Sequence, residues 1–250
     1  MKTLKKLLAA VLAVVRCFSL VGCGTQKADY IIYSDNAFAP FEFYDEETKG
    51  YIGVDMDILA AIAEDQGFTY EMKNEGFDAS MGAVQSGQAD GMIAGMSITD
   101  KRKETFDFSD GYFKDGSVLV VGAESDITSL EGLRGKKIAA KIGTTSTIYA
   151  ESIKDEYGFE IQYFEQSPDM YQAVMSGNYV ACFEDFSVIA WAIKNGSVKL
   201  KVVGEPVNPC YYGFAVKKGQ NPELIEKFNK GLENIKASGE YDKILEKYGY

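Results

Sequence analysis

Arg102 is the side chain in this sequence best suited to hold a carboxylate. It is the last residue of the segment Gly95–Arg102, which follows a short predicted strand and runs into the start of a predicted helix at Asp100. The planar guanidinium can donate two parallel hydrogen bonds to a carboxylate, and the helix N-terminus beside it offers backbone N–H groups to an anion. On a helix, Lys101 and Lys103 are each rotated about 100° around the helix axis from Arg102, in opposite directions. The three cations therefore cannot all face one point. The alternative, an exposed basic cluster, would oppose the helix dipole without any gain.

Two further turns carry polar groups that a ligand can use. Lys141–Ser146 joins a predicted strand to a predicted helix, and Thr144 or Thr145 can cap that helix, so this turn also suits an anion. Glu184 and Asp185 stand together at the end of another predicted strand. Paired carboxylates can take an ammonium, bind a metal or do acid/base chemistry, and Asp185 suits a helix N-cap equally well.

Together the three turns are complementary to the zwitterion of an α-amino acid. They offer a carboxylate grip, N–H donors and an acceptor for an ammonium group. The sequence contains no histidine, which removes the commonest general base and the commonest metal ligand. Because no nucleophile has a base beside it, we expect binding without reaction, and we expect no metal and no cofactor.

Strands and helices alternate along the chain and must position these turns. Short apolar runs between polar turns predict strands, whereas Val54, Ile58, Ala61 and Ile62 share one face of a helix. This alternation predicts α/β layers with mostly parallel sheets, in which ligands gather at the carboxyl ends of the strands. The predicted helices include Gly53–Gly67, Asp78–Gln85, Thr145–Tyr157, Pro168–Met175, Phe186–Lys194 and one that starts at Pro222.

Residues 1–22 have the pattern of an export signal. Three lysines within the first six residues precede the apolar run Leu7–Val15, and small residues lead to Cys23. The ending LVGC resembles a bacterial lipobox, in which the peptide is removed and the cysteine carries lipid; a plain secretory signal is the alternative. We expect a lipoprotein signal peptide at 1–22, a tether at 23–28 and a lipid anchor at Cys23 on the outer face of the cell membrane.

The charge and the cysteines exclude other classes of partner and site. The 250 residues carry a net charge of −11, and without residues 1–22 the charge is near −15. With no basic stripe to neutralise phosphates, nucleic acid is excluded as a partner. Cys182 and Cys210 have neither the spacing of a zinc site nor a CxxC motif. They could pair in an exported protein, but we favour two buried free thiols.

Four motifs in order along the chain resemble a known family. They are APFEF at 39–43, GVDMD at 53–57, the run from Gly95 through Lys103 to Phe113, and SGEY at 238–241. After a lipobox, this series resembles the polar amino-acid family of solute-binding proteins of ABC importers, extracellular solute-binding protein family 3. The resemblance covers essentially all of the mature chain.

The resemblance implies a two-lobed, periplasmic-binding-protein-like clamshell. Each lobe would hold a mixed, mostly parallel sheet flanked by helices, with lobe 1 formed by 29–112 plus 211–250 and lobe 2 by 116–206. Two hinge crossings would lie near Phe113–Asp115 and Val207–Cys210. The expected partners are a free polar amino acid and the membrane permease of an ABC importer, and the expected state is a monomer.

The resemblance also assigns roles around the zwitterion. Arg102 falls on the family's carboxylate-binding arginine, and Asp185 falls on its ammonium-binding acid. The backbone N–H groups of Ser97 and Thr145 would assist the carboxylate. The Ser97 hydroxyl and the Gly95 carbonyl would meet the ammonium.

The side chain of the ligand would meet a second group of residues. Phe38 and Phe77 fall on the aromatic walls of the family, although core packing is the alternative for aromatic residues. With Asp35 and Lys141 they resemble the glutamine-binding branch, in which acid and lysine contact an amide. Glu184 departs from that branch, which often has histidine, and an extra acid favours a cation such as arginine, whereas Lys141 would repel one. We therefore favour glutamine over arginine or another basic amino acid. The other alternative is a cyclohexadienyl-dehydratase-like enzyme with Glu184 as its acid/base.

Overall fold

The computed structural model describes residues 27–250. The predicted signal peptide at 1–22, the lipid anchor at Cys23 and most of the tether at 23–28 lie outside the described residues. From residue 27 onward, the chain forms no helix with the length and apolar character that crossing a bilayer requires.

The described chain alternates strands and helices along most of its length. The strands are β1 Tyr30–Asp35, β2 Ala37–Phe38, β3 Glu42–Asp45, β4 Gly50–Ile52, β5 Tyr70–Glu75, β6 Gly91–Met92, β7 Phe106–Phe108, β8 Phe113–Gly122, β9 Lys137–Lys141, β10 Glu160–Phe164, β11 Ala181–Asp185, β12 Leu200–Tyr212 and β13 Ala215–Lys217. The α-helices are α1 Val54–Gln66, α2 Phe77–Ser86, α3 Thr145–Tyr157, α4 Ser167–Met175, α5 Phe186–Lys194, α6 Pro222–Ala237 and α7 Glu240–Lys247.

Two five-stranded sheets share one plan. The first has the order β5-β1-β6-β13-β7, the second has the order β10-β9-β11-β8-β12, and a small sheet is formed by β2-β3-β4. In each large sheet, two neighbouring pairs are parallel and two are antiparallel. The sheets are mixed, as predicted, but parallel pairs make up half of the pairings rather than most. The reason is that β7 pairs with β13, and β8 pairs with β12. In each pair, one strand lies where the chain passes from the first sheet to the second, and its partner lies where the chain passes back, so the two run in opposite directions.

The strands β8 and β12 link the two sheets as an antiparallel pair. Phe113 lies opposite Tyr212, and Asp115 lies opposite Cys210. The rings of Phe113 and Tyr212 stack with their centroids 5.8 Å apart. The predicted two-lobed fold with two hinge crossings is confirmed, and both crossings are paired strands rather than loose loops.

The apolar cores lie on either side of this link. In the first, α1 packs against α6, and Gly231 permits the close approach because a Cβ there would lie 2.8 Å from Ile62 Cγ2. The first core includes Ile58, Leu59, Ile62, Phe214, Phe228 and Leu232. The second lobe buries two clusters, which include Val118, Val120, Met170, Cys182, Leu133, Ile138 and Phe183.

One helix prediction beside the candidate site is wrong. The bounds predicted for α3 and α5 match the structure, but the helix expected from Asp100 is only a 3-10 turn at Arg102–Glu104. At the start of this turn, the Thr99 Oγ1 accepts a hydrogen bond from the Arg102 N–H at 3.1 Å. Phe106 then begins β7, which pairs with β13, so the segment has no room for a longer helix.

Both cysteines are free thiols, as the sequence interpretation favours. Cys182 is buried as expected, whereas Cys210 is only half-buried. Among residues 27–250, no three histidine, cysteine, aspartate or glutamate side chains are grouped so as to hold a metal ion.

Candidate functional site

One cavity between the two lobes brings together all of the side chains and turns that the sequence singles out. Its lining atoms leave about 290 Å³ between them, part of which is open to solvent, and only about 10 Å³ of that space admits a water-sized sphere. Ala94 and Thr144 also line it, and the sequence interpretation did not place either of them in the lining. The predicted residues in the lining are Asp35, Phe38, Phe77, Gly95, Ser97, Arg102, Lys141, Thr145, Glu184 and Asp185.

The Arg102 guanidinium lies at one end of the cavity. Its Nη1 donates to the Ser97 carbonyl at 2.8 Å, and its Nη2 donates across the cleft to the Gly143 carbonyl at 3.0 Å. The guanidinium carbon lies 5.2 Å from the centre of the Phe77 ring, which is cation–π distance. Burial lowers the pKa of Arg102 to about 10, and the Asp185 carboxylate opposes that shift, so the group stays charged at neutral pH.

The two lysines beside Arg102 face solvent. Lys101 pairs with Glu104 at 2.8 Å, and Lys103 pairs with Asp100 at 3.5 Å. The exposed-cluster alternative therefore describes these two lysines but not Arg102, which is 8% exposed.

The N-terminus of α3 lies beside Arg102. Thr144 is the N-cap of α3, and its Oγ1 accepts a hydrogen bond from the Thr147 N–H at 3.2 Å. Thr145 is the first residue of α3, where the amide has no partner within the helix. The hydroxyls of Ser97 and Thr145 lie 3.1 Å apart across the cleft. Donors from both lobes thus surround the guanidinium.

Asp185 is buried and does not cap its helix. It occupies the N-cap position of α5, but its side chain makes no capping hydrogen bond. Instead, Oδ1 accepts from the Ser146 hydroxyl at 2.7 Å, and Oδ2 accepts from the Tyr212 hydroxyl at 2.6 Å. Burial raises the pKa of Asp185, while these hydrogen bonds and the Arg102 charge lower it. Asp185 thus stands at the N-cap position without capping the helix through its side chain, and the residue lines the cavity.

Glu184 has partners that the sequence interpretation missed. Its Oε2 accepts from the Ser167 hydroxyl at 2.8 Å and from the Tyr171 hydroxyl at 2.7 Å, and its Oε1 accepts from the Asp185 N–H at 2.9 Å. Burial, and then the charge of Asp185, raises the pKa of Glu184 to about 7. The hydroxyls of Ser167, Tyr171 and Tyr212 lie in helices and strands outside the three turns, where neutral hydroxyls give no sequence signal.

The far end of the cavity contains a buried ion pair between the lobes. Lys141 at the end of β9 donates to Asp35 Oδ2 at the end of β1. The side chains are 2% and 1% exposed. Asp35 Oδ1 also accepts from the Asn36 N–H at 2.7 Å, and the Lys141 ammonium lies 5.0 Å from the centre of the Phe38 ring. Phe38 and Phe77 thus each line the cavity beneath a cation, while both are also buried.

Comparison with known proteins decides the family. A profile of the bacterial extracellular solute-binding proteins, family 3, matches residues 30–250. The chain belongs to this family. A probable histidine-binding protein of Neisseria gonorrhoeae is 33% identical over 260 residues, which cover 98% of this chain and 96% of that protein.

Two solved structures of similar proteins differ in how closely their folds superpose on this one. An ancestral arginine-binding protein bound to glutamine is 39% identical, with a TM-score of 0.81 over 90% of this chain and 99% of its own. The open conformation of substrate binding domain 2 of Lactococcus lactis GlnP is 46% identical, with a TM-score of 0.62 over 90% of this chain and 97% of its own. The more similar sequence gives the poorer overlay. The present arrangement of the lobes is thus nearer to the glutamine-bound protein than to the open one.

Proposed function

We propose that this protein binds a free polar amino acid, preferably glutamine, outside the cytoplasm and delivers it to the membrane permease of an ABC importer. Arg102 binds the α-carboxylate, and Asp185 binds the α-ammonium. The N–H groups of Ser97 and Thr145 assist the carboxylate, while the Ser97 hydroxyl and the Gly95 carbonyl assist the ammonium. The support is that a buried cation and a buried carboxylate lie in one cavity, where a zwitterion brings a matching charge to each.

The Asp35–Lys141 pair is the single observation that favours glutamine. The pair is buried and presents an acceptor and a donor side by side at the far end of the cavity. A carboxamide has one acceptor oxygen and one donor nitrogen, so it can bind Lys141 and Asp35 together. A cationic side chain would meet the Lys141 ammonium, and a carboxylate would meet Asp35. Phe38 and Phe77 would enclose the methylene groups.

The amino acid would stabilise closure by replacing contacts between the lobes. Arg102 already bonds to the Gly143 carbonyl, and a ligand carboxylate would take over that donor. Each hydrogen bond between the guanidinium and the ligand carboxylate contributes about 1.5–3 kcal/mol. The bond to the Gly143 carbonyl that it replaces is weaker, because a carbonyl oxygen carries no full charge. Closure removes water, which strengthens both charge pairs, and the closed form is the one proposed to dock on the permease.

Arginine or another basic amino acid is the second candidate, and Glu184 is the observation that favours it. Glu184 lines the cavity, and three donors hold it, none of which is a cation. An ionised Glu184 would attract a guanidinium or an ammonium. The Lys141 charge opposes this, which is why glutamine is the first candidate.

The remaining parts of the proposal concern the architecture and the location. Lobe 1 comprises residues 29–112 plus 211–250, and lobe 2 comprises 116–206. The protein acts as a monomeric lipoprotein anchored at Cys23 to the outer face of the cell membrane. It releases its amino acid unchanged.

A calorimetric and thermal-shift panel of the twenty amino acids tests the proposal. We expect glutamine to bind most tightly, and glutamate, which has nearly the same shape with a carboxylate for the amide, to bind at least tenfold more weakly. If arginine binds most tightly, the assignment to glutamine is wrong and the second candidate replaces it. If no amino acid binds, the proposed function is wrong.

A further inference from the structure

The hydroxyl of Tyr212 lies between two buried carboxylates. It is 2.6 Å from Asp185 Oδ2 and 3.0 Å from Asp115 Oδ2. Tyr212 is fully buried, and the two aspartates are 6% and 8% exposed. Asp115 lies in β8 opposite Cys210 of β12, at the crossing between the lobes. The three oxygens therefore connect the hinge to the proposed ammonium site.

A phenol carries one hydrogen, so it can donate to one of these carboxylates at a time. If both aspartates were ionised, the other contact would place a lone pair of the phenol against a negative oxygen without a hydrogen between them. A proton on Asp115 removes this conflict, because Asp115 then donates to Tyr212 and Tyr212 donates to Asp185. Two carboxylates within reach of one group commonly share a proton in this way.

We infer that Asp115, Tyr212 and Asp185 hold one proton in common, and that this proton leaves when the ammonium of the ligand binds Asp185. The inference rests on the proposed function, since it needs an ammonium at Asp185. In the step, the O–H bond of the Asp115 carboxyl breaks and the proton passes to the buffer. The ligand ammonium then donates to Asp185 in place of Tyr212, and Tyr212 donates its one hydrogen to Asp115. Asp115 and Tyr212 are thus positioning residues for Asp185.

The surroundings of the three groups agree with a retained proton. Burial, and then the charge of Asp185, raises the pKa of Asp115 to about 6, although donors from Ser187, Gly116 and Tyr212 lower it. Burial also raises the pKa of Asp185. The other charged or titratable groups that act on the carboxylates are Arg102, Lys141, Glu184, Cys210 and Tyr250.

The sign of the pH dependence follows from linkage. An added positive charge lowers the pKa of the shared proton, so the bound protein holds fewer protons than the free protein. Affinity should be constant above about pH 7 and should fall below about pH 6, by up to about tenfold per pH unit.

Calorimetry in buffers of different ionisation enthalpy counts the released protons. The probes are L-glutamine and L-arginine, neither of which changes its own charge between pH 5.5 and 7.5. Each is first titrated at pH 7.5, where a lack of binding by both would refute the two candidate ligands and this inference together. The one that binds is then titrated at pH 6, where we expect a release of about half a proton per ligand.

Two variants and a control identify the source of the proton. Asp115→Asn cannot titrate, so the release at pH 6 should fall to the share that Glu184, whose pKa is about 7, contributes. Ser187→Ala removes a hydroxyl that donates to Asp115, so the pH of maximal release should rise. Asp126→Asn, at an exposed aspartate, should leave the release unchanged. Binding at pH 7.5 without release at pH 6, or full release in Asp115→Asn, would overturn the inference while leaving the proposed function intact.

Discussion

Replacing Arg102 by alanine should abolish binding while the fold remains. The two hydrogen bonds that its guanidinium would donate to a ligand carboxylate contribute about 3–6 kcal/mol in total. Since about 1.4 kcal/mol corresponds to a factor of ten, the affinity should fall by about 100- to 10,000-fold. The lower end is the safer expectation, because the unliganded protein already uses Nη2 to bind the Gly143 carbonyl.

The cost to the fold should be modest. The substitution leaves the carbonyls of Ser97 and Gly143 without their donor, which costs about 1–3 kcal/mol for each carbonyl that stays buried. It also removes a guanidinium that was buried at some expense. The circular dichroism spectrum should therefore match that of the wild type, with a melting temperature lower by a few degrees.

Titration calorimetry on three variants separates the role of Arg102 from mere charge. Lys101→Ala is the matched control, since Lys101 is exposed and its ion pair with Glu104 is of the surface kind, worth about 0–1 kcal/mol. Arg102→Lys keeps the charge but loses the two-pronged donor, so it should also bind weakly. If a folded Arg102→Ala binds its amino acid within a few-fold of the wild type, the assignment of this residue is refuted.

Three further predictions concern specificity, a reporter and pH. Lys141→Met should weaken glutamine binding by more than tenfold and should raise the affinity for arginine relative to that for glutamine, as measured by calorimetric competition. An unchanged ratio of the two affinities would contradict the role of the Asp35–Lys141 pair. Trp191 is the only tryptophan in the chain, and its ring lies 5.9 Å from that of Phe43 across the lobes, so its fluorescence should change on ligand binding, and Phe43→Ala should reduce the change. Burial raises the pKa of Asp55 from 3.8 to about 7, so the free energy of unfolding should fall as the pH rises from about 4 to 7, and Asp55→Asn should flatten that dependence in urea titrations.

The cavity could be predicted from the sequence because its residues stand at strand ends. Lys141 and Asp185 each end a strand, and in such sheets the carboxyl ends gather at one edge. Their charges also made them conspicuous. The resemblance to a family then supplied Asp35 and the aromatic residues, and periodicity alone would have left the aromatic residues in the core.

The contacts behind the cavity could not be predicted in the same way. Ser167 and Tyr171 belong to α4, and Tyr212 belongs to β12, so only the tertiary fold brings their hydroxyls to Glu184 and Asp185. The short strands β2, β3 and β4 were also missed, because two to four residues are too few to show a period. The helix expected after Thr99 failed because pairing of β7 with β13 overrides local preference.

The position of β13 has a consequence for the order in which the protein can form during synthesis. This strand joins β6 to β7, although more than 100 residues separate it from either of them. All five strands of the second sheet have been made before residues 215–217 appear, so that sheet can assemble early from one continuous stretch of chain. The first sheet must wait, with β7 detached from β1, β5 and β6, until the final segment arrives. A chain stopped before Ala215 should therefore contain one finished lobe and one that stays open to proteases.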